Sequence, residues 1–123
     1  MGLGFVGTVA IETHGCKLNQ ADSGLLSAQF VRRGFQVVSS GEPADVVIVN
    51  SCTVTHVADR KARNSLRAAR RRNPDSTIVA TGCYAQRSPE ALRALGEIDL
   101  VVGNVDKGSL VSEVLEWRVG KSP

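Results

Sequence analysis

D-V-V-I-V-N-S-C (45–52) is the stretch on which the fold turns. Val46 to Val49 is the longest purely apolar run in the chain and shows no polar alternation. A strand with one wet face alternates; a continuous apolar run reads as a strand buried on both faces, as in parallel sheets covered by helices. T-I-V-A-T (77–81) repeats the pattern, and Val9 to Thr13, Phe35 to Val38 and Asp99 to Gly103 supply three more strands. Between them the sequence predicts a helix from Gln20 to Arg33, with Leu25, Leu26, Ala28 and Phe30 toward a core and Gly34 closing it. A longer helix runs from Val54 to Arg72 and stops at Asn73-Pro74. Ser88-Pro89-Glu90 starts a third, with Ser as cap and Pro in the first turn. Asp106 is expected to cap a fourth that runs through Trp117. The order β-α-β-β-α-β-α-β-α predicts an α/β fold: a doubly wound, mainly parallel, flavodoxin- or Rossmann-like sheet with helices on both faces. Ligands of such sheets sit beyond the carboxyl ends of the strands, at a topological switch point.

At 123 residues the chain is one domain of ordinary size, able to bury roughly two-thirds of its unfolded surface. Residues 1–7 read as a flexible N-terminus, 8–118 as the domain and 119–123 as a tail. A hydrophobic share of 42% with 22% charged residues excludes disorder. No run approaches the ~18 apolar residues of a spanning helix. The N-terminus has neither a signal-peptide pattern nor, with Val at position 6, a myristoylation motif. Three cysteines are too few, and odd in number, for a disulfide scaffold. The expectation is a cytoplasmic globular domain.

The net charge of +3 is unevenly spread. Arg60, Lys61, Arg63, Arg67, Arg70, Arg71 and Arg72 fall in 13 residues without an acid, leaving eight basic and twelve acidic residues elsewhere. One segment therefore supplies the excess positive charge and suggests a local anionic partner.

Several motifs fail on context. G-L-G-F-V-G (2–7) is formally GxGxxG, but it precedes the first strand instead of linking a strand to a helix. There is no Walker A sequence. Phosphatase chemistry needs Arg six residues after Cys, where Asp22, Ala58 and Pro89 stand. A receiver-type phosphoacceptor site needs acids at strand ends, and this strand ends in Asn50.

The cysteines do not fail. Cys16, Cys52 and Cys83 each follow one of the three best apolar strands, at separations of 36 and 31 residues. That is close to the ~30 residues or more of a βαβ unit. In a 2-1-3-4-5 strand order their strands are immediate neighbours, roughly 4.8 Å apart. Three thiols would converge at one pocket mouth. Small buried Cys is the plain alternative, but buried Cys usually lies within strands. Two metals fit the spacing. Zinc would recruit His14 or His56 as a fourth ligand, whereas an iron–sulfur cubane on three thiolates leaves one iron open for chemistry.

E-T-H-G-C-K-L-N-Q (12–20), P-A-D-V-V-I-V-N-S-C-T-V-T (43–55), A-D-R-K-A-R (58–63) and R-R-N-P-D-S-T-I-V-A-T-G-C-Y-A-Q (71–86) resemble, in order and spacing, the N-terminal domain of radical S-adenosylmethionine methylthiotransferases. The resemblance spans about residues 8 to 117. It implies that Cys16, Cys52 and Cys83 bind an auxiliary 4Fe–4S cluster whose open iron holds the sulfur to be methylated and inserted at a carbon–hydrogen bond. It also implies S-adenosylmethionine and a second 4Fe–4S cluster in a following radical-SAM domain. The CxxxCxxC motif of that domain is absent here, so the fragment alone is expected to be inactive and residues 119–123 to lead toward the missing domain. Within the family the Cys-flanking residues are most similar to the branch that adds a methylthio group to threonylcarbamoyladenosine at tRNA position 37, beside the anticodon. The alternatives are another adenosine, a ribosomal-protein aspartate, or a structural zinc or RNA-binding module.

On a helical wheel Ala58, Ala62, Leu66 and Ala69 form an apolar stripe, with Arg60, Arg63, Arg67, Arg70 and Arg71 in a stripe beside it. The second stripe is either a tRNA phosphate surface, a solvated face or a docking face for the missing domain. Asn19 and Asn50 flank cysteines and can hydrogen-bond cluster sulfur or shape the turns. Tyr84 is expected to shield the pocket, and Trp117 to pack the last helix on the sheet.

Overall fold

The computed structural model of the protein describes residues 7–14, 17–51, 56–103 and 109–121, with backbone alone at 17–19, 56–59, 83 and 120–121. Its elements are β1 (Gly7–His14), α1 (Lys17–Arg32), β2 (Phe35–Val38), β3 (Val46–Ser51), α2 (His56–Arg72), β4 (Thr77–Gly82), α3 (Cys83–Arg87), α4 (Pro89–Arg93), β5 (Leu100–Gly103) and α5 (Leu110–Lys121). The five strands form one parallel sheet in the order β2-β1-β3-β4-β5, the expected doubly wound α/β arrangement. Every residue of β3 and β4 is buried, as their unbroken apolar runs require.

Each sheet face carries its own core. Ala10, Val47, Val49, Ile78 and Ala80 meet Ala62, Leu66 and Ala69 of α2, with Tyr84, Ala85 and Leu92 beside them. On the other face Val9, Val46, Ile48, Val79 and Val102 meet Leu26 and Phe30 of α1 and Leu110, Val111 and Val114 of α5. Phe30 packs edge-on against Phe35 of β2, ring centroids 5.1 Å apart at 81°, fastening α1 to the edge strand.

The amino edge is tied by side chains. Asp45 accepts from the Thr8 amide at 2.9 Å, and Asn73 accepts from the Ala44 amide at 3.1 Å while its own amide caps the Ala69 carbonyl at 3.0 Å. Asn73-Pro74 thus ends α2 as its sequence predicts. Gly34 closes α1 with φ 92°, a left-handed conformation that suits glycine.

Some expectations need adjusting, and others fall outside the described residues. Leu25 and Ala28 do not face the core: both are exposed, Leu25 at 65%, because Leu26 and Phe30 take the inward stripe and each step along a helix turns about 100°. β3 and β4 each run one residue further, to Ser51 and Gly82, so Cys83 opens a helix, α3, that the sequence pattern does not predict. Ser88 precedes α4 but forms no side-chain cap. α5 begins at Leu110, and the expected cap Asp106 lies outside the described residues, as do residues 1–6 of the N-terminal segment. α5 continues through Lys121, into the stretch read as a tail.

Candidate metal centre

The register assembles the site from the backbone up. His14 pairs with Ser51, Ser51 with Gly82 and Gly82 with Gly103, one row along the carboxyl edge of the sheet. In sequence Cys16 stands two residues beyond His14, Cys52 one beyond Ser51 and Cys83 one beyond Gly82. The three cysteine positions therefore leave three adjacent strands at the same edge, near 4.8 Å per strand. Cys16 and Cys52 lie outside the described residues, and Cys83 is described by its backbone at the start of α3. Asn19 falls in the first turn of α1, also as backbone.

Gly82 makes the close approach at the centre of this row. Its φ is +103°, and a Cβ there would stand 2.0 Å from the Ser51 carbonyl oxygen. No side chain fits, so β4 can press against Ser51 at the end of β3, and the Cys83 backbone follows directly. Gly103 repeats the device, with a Cβ 2.4 Å from Gln86 Oε1 of α3. At both glycines the space of a Cβ is already taken by neighbouring protein atoms, so the two residues permit a close-packed edge.

One residue back along the strands lies a polar row facing α1 and α5. Thr13 pairs with Asn50, Asn50 with Thr81, and all three interrupt otherwise apolar strands. Asn50 is fully buried and donates from Nδ2 to Ser23 Oγ at 3.0 Å; Ser23 Oγ lies 2.6 Å from Thr13 Oγ1. Thr81 is 1% exposed, and its hydroxyl has no hydrogen-bond partner among the described residues. Burying an unsatisfied hydroxyl costs about 1–3 kcal/mol, an outlay that points to a polar occupant at this end of the sheet. A metal group held by soft thiolate donors fits that setting. Among the described residues no group of three or more His, Cys, Asp or Glu is arranged to hold a metal.

The opposite face carries a Glu12–His14–Ser65 cluster. Glu12 Oε2 accepts from Ser65 Oγ at 2.6 Å and meets His14 Nε2. Burial alone would raise the Glu12 carboxyl, but the Ser65 and His14 hydrogen bonds, with the charges of His14 and Arg72, hold it below its ordinary value. His14, a candidate fourth zinc ligand, thus has Nε2 engaged by Glu12. The side chain of His56, the other candidate, is outside the description.

The basic stripe divides. Arg70 is half-buried and donates to the Glu97, Pro74 and Ser76 carbonyls at 2.9–3.0 Å and to Asp99 Oδ2 at 2.7 Å. Arg63 donates to the Tyr84 hydroxyl at 3.0 Å, and the Arg87 guanidinium sits 5.5 Å from the ring centroid. Tyr84 is buried in the core, and it anchors α3 immediately after Cys83. Arg67 stands 3.6 Å from Glu97. Arg60 and Arg71 are exposed. Ala62, Leu66 and Ala69 form the buried stripe as expected; the Ala58 side chain lies outside the description. Trp117 is half-buried on α5.

Sequence reasoning missed Thr13, Ser23, Ser65 and Thr81. For Thr81 a signal was present: like Asn50, it lies two residues before a cysteine, a polar interruption at the end of an apolar strand.

The profile of the family described as Uncharacterized protein family UPF0004 matches residues 8–103. Among curated proteins, the Aquifex aeolicus (strain VF5) threonylcarbamoyladenosine tRNA methylthiotransferase MtaB is 49% identical over 116 residues, covering 92% of this chain and 28% of that protein. The Bacillus subtilis (strain 168) protein of the same name is 38% identical, covering 94% and 26%. The chain thus spans about a quarter of the length of these relatives. Among solved structures, a Thermotoga maritima response regulator superposes with a TM-score of 0.61 at 16% identity, covering 89% of this chain and 95% of that one. That likeness concerns the fold alone.

Proposed function

The chain belongs to the UPF0004 family, and we propose that it is the auxiliary-cluster domain of a radical S-adenosylmethionine methylthiotransferase that adds a methylthio group to threonylcarbamoyladenosine at position 37 of tRNA. The observation that carries the reading is the register row, which sets the positions leading to Cys16, Cys52 and Cys83 at one sheet edge. The 49% identity to a protein named for that substrate supports the choice of branch.

Cys16, Cys52 and Cys83 would hold the cluster. Three thiolates leave one iron of a 4Fe–4S cubane without a protein ligand, and that open position supplies the sulfur chemistry. The chain's own residues do the positioning. Gly82 lets β3 and β4 close on one another, and Tyr84, tied to Arg63, sets α3 and with it the Cys83 backbone. Asn50, held by Ser23, and Asn19 in the first turn of α1 orient the loops around the metal.

S-adenosylmethionine and the second 4Fe–4S cluster belong to the radical-SAM domain in the remaining three-quarters of such a polypeptide. The tRNA anticodon region is the substrate, approached from the α2 side, where exposed Arg60 and Arg71, with Arg67 and Arg63 beside them, meet phosphate; Arg70 serves the fold first. No described helix is long and apolar enough to cross a membrane; acting on tRNA, the protein would work in the cytoplasm.

Anaerobic reconstitution tests the reading. The chain should take up about four irons with a broad thiolate-to-iron absorption. Changing Cys16, Cys52 or Cys83 to Ala should abolish uptake, whereas His14→Ala should not. Stoichiometric zinc without iron would favour a structural zinc module. S-adenosylmethionine cleavage by the 123-residue chain alone would contradict the assignment of radical chemistry to the remainder.

A further inference from the structure

α1 is apolar on two sides. Ser23, Leu26 and Phe30 are buried against the sheet. Ala21, Gly24, Leu25, Ala28 and Val31 fall at the i, i+3, i+4, i+7 and i+10 positions of the same helix and share its other side. All five are exposed, Leu25 at 65% and Val31 at 57%. This face extends about 15 Å. Between Lys17 and Arg32 the helix carries one ionisable residue, Asp22. Val37 is exposed on edge strand β2, on the same sheet side as Phe35, and Val119 is exposed on α5 in the same layer. Among the described residues no large apolar side chain is exposed on α2, α3 or α4. A helix with apolar residues on two opposite sides belongs where both are covered.

We infer that the outer face of α1 is a docking surface whose occupant is the remainder of the same polypeptide. This rests on reading the chain as one domain of a methylthiotransferase. Length is the first argument: relatives of which this chain spans 28% and 26% must place some three-quarters of their mass around such a domain. Position is the second, because α1 begins at Lys17, the residue after Cys16 in the sequence, so the helix that carries the face starts at the sheet edge of the proposed metal centre. Chemistry is the third. A nucleic acid needs many cations, and this side of α1 carries them only at its two ends, Lys17 and Arg32, whereas α2 across the sheet carries seven. The stripe of small and aliphatic residues between those ends suits a close-packed protein surface.

Site-specific photocrosslinking in the full-length enzyme tests this. Benzoylphenylalanine placed at position 25, or at 31, should crosslink at monomer mass to peptides beyond residue 123. At Asn64, exposed on α2, the yield should be no more than about a tenth. A dimer-mass product would overturn the inference in favour of a second copy; equal yields at all three positions would overturn it in favour of solvent. As a second measurement, Leu25→Lys with Val31→Lys should speed proteolysis at the junction after residue 123 by at least about tenfold, the factor expected from losing one buried leucine. Unchanged cleavage would count against the surface. Crosslinks kept in a protein that takes up zinc and no iron would remove the metal assignment and leave the docking face standing.

Discussion

α1 and α2 cover opposite faces of one sheet and both descend from its carboxyl edge, yet their outer sides are opposites. α2 buries Ala62, Leu66 and Ala69 and turns arginines outward. α1 buries Leu26 and Phe30 and turns Leu25, Ala28 and Val31 outward. A helix with one wet side announces its inward stripe through contrast. A helix with two apolar sides does not, which is why Leu25 and Ala28 read as core from the sequence. The difference teaches that α2 is finished within this domain and α1 is not.

The inward sides should nevertheless behave alike, and breaking them should have the largest effect. Phe30→Ala removes a fully buried ring and its edge-on packing against Phe35, and should cost about 3–5 kcal/mol. Leu66→Ala on α2 should cost about 2–5 kcal/mol. Leu25→Ala, in the isolated chain, should stay within about 0.5 kcal/mol. Urea unfolding midpoints check all three, and a large loss at Leu25 would erase the distinction between the two sides of α1.

Within α2 the comparison sharpens to single arginines. Arg70→Ala strips three carbonyls and Asp99 of their partner and should cost about 2–3 kcal/mol. Arg60→Ala with Arg71→Ala should leave stability within about 0.5 kcal/mol per site. The same pair should flatten the dependence of log affinity for tRNA on log salt by about 0.7–0.9 for each phosphate that is no longer neutralised. An unchanged slope in the full-length enzyme would return the helix to domain docking or to solvent.

The buried strands and their order were legible because β3 and β4 lie under both layers, so no solvent imposed alternation on Val46–Val49 or Ile78–Ala80. The strands before the cysteines were legible too: β3 and β4 directly precede Cys52 and Cys83, and the partly buried β1 ends two residues before Cys16. α3 was not. It is five residues long, and what holds it is tertiary: Tyr84 buried in the core and tied to Arg63, twenty-one positions earlier. The Arg63, Arg67, Arg70 series looked uniform at helical spacing. Its members separate because Tyr84 of α3 comes to lie beside Arg63, and Glu97 and Asp99, on the loop before β5, beside Arg67 and Arg70. The Glu12–Ser65 hydrogen bond spans fifty-three positions and had no local signature.

That hydrogen bond gives the smallest expected effect, and it tests the α2 side of the comparison by pH. The folded Glu12 carboxyl lies below its ordinary value of 4.5, so folding favours the charged form. Above the unfolded value both states are ionised, and the contribution to stability is fully present. As pH falls below about 4.5 the unfolded chain takes up the proton first, and the contribution drains away until the folded carboxyl is protonated too. Glu12→Gln removes this linkage. The variant should be less stable than the parent near pH 7, and the difference between them should narrow through the interval below pH 4.5. Urea midpoints at pH 7, 4.5, 4 and 3.5 check the sign. A difference that widens as pH falls would mean that burial outweighs the Ser65 and His14 hydrogen bonds. Glu12 would then be a cost to the α2 face, offset elsewhere, instead of the tie that holds Ser65 of α2 to β1.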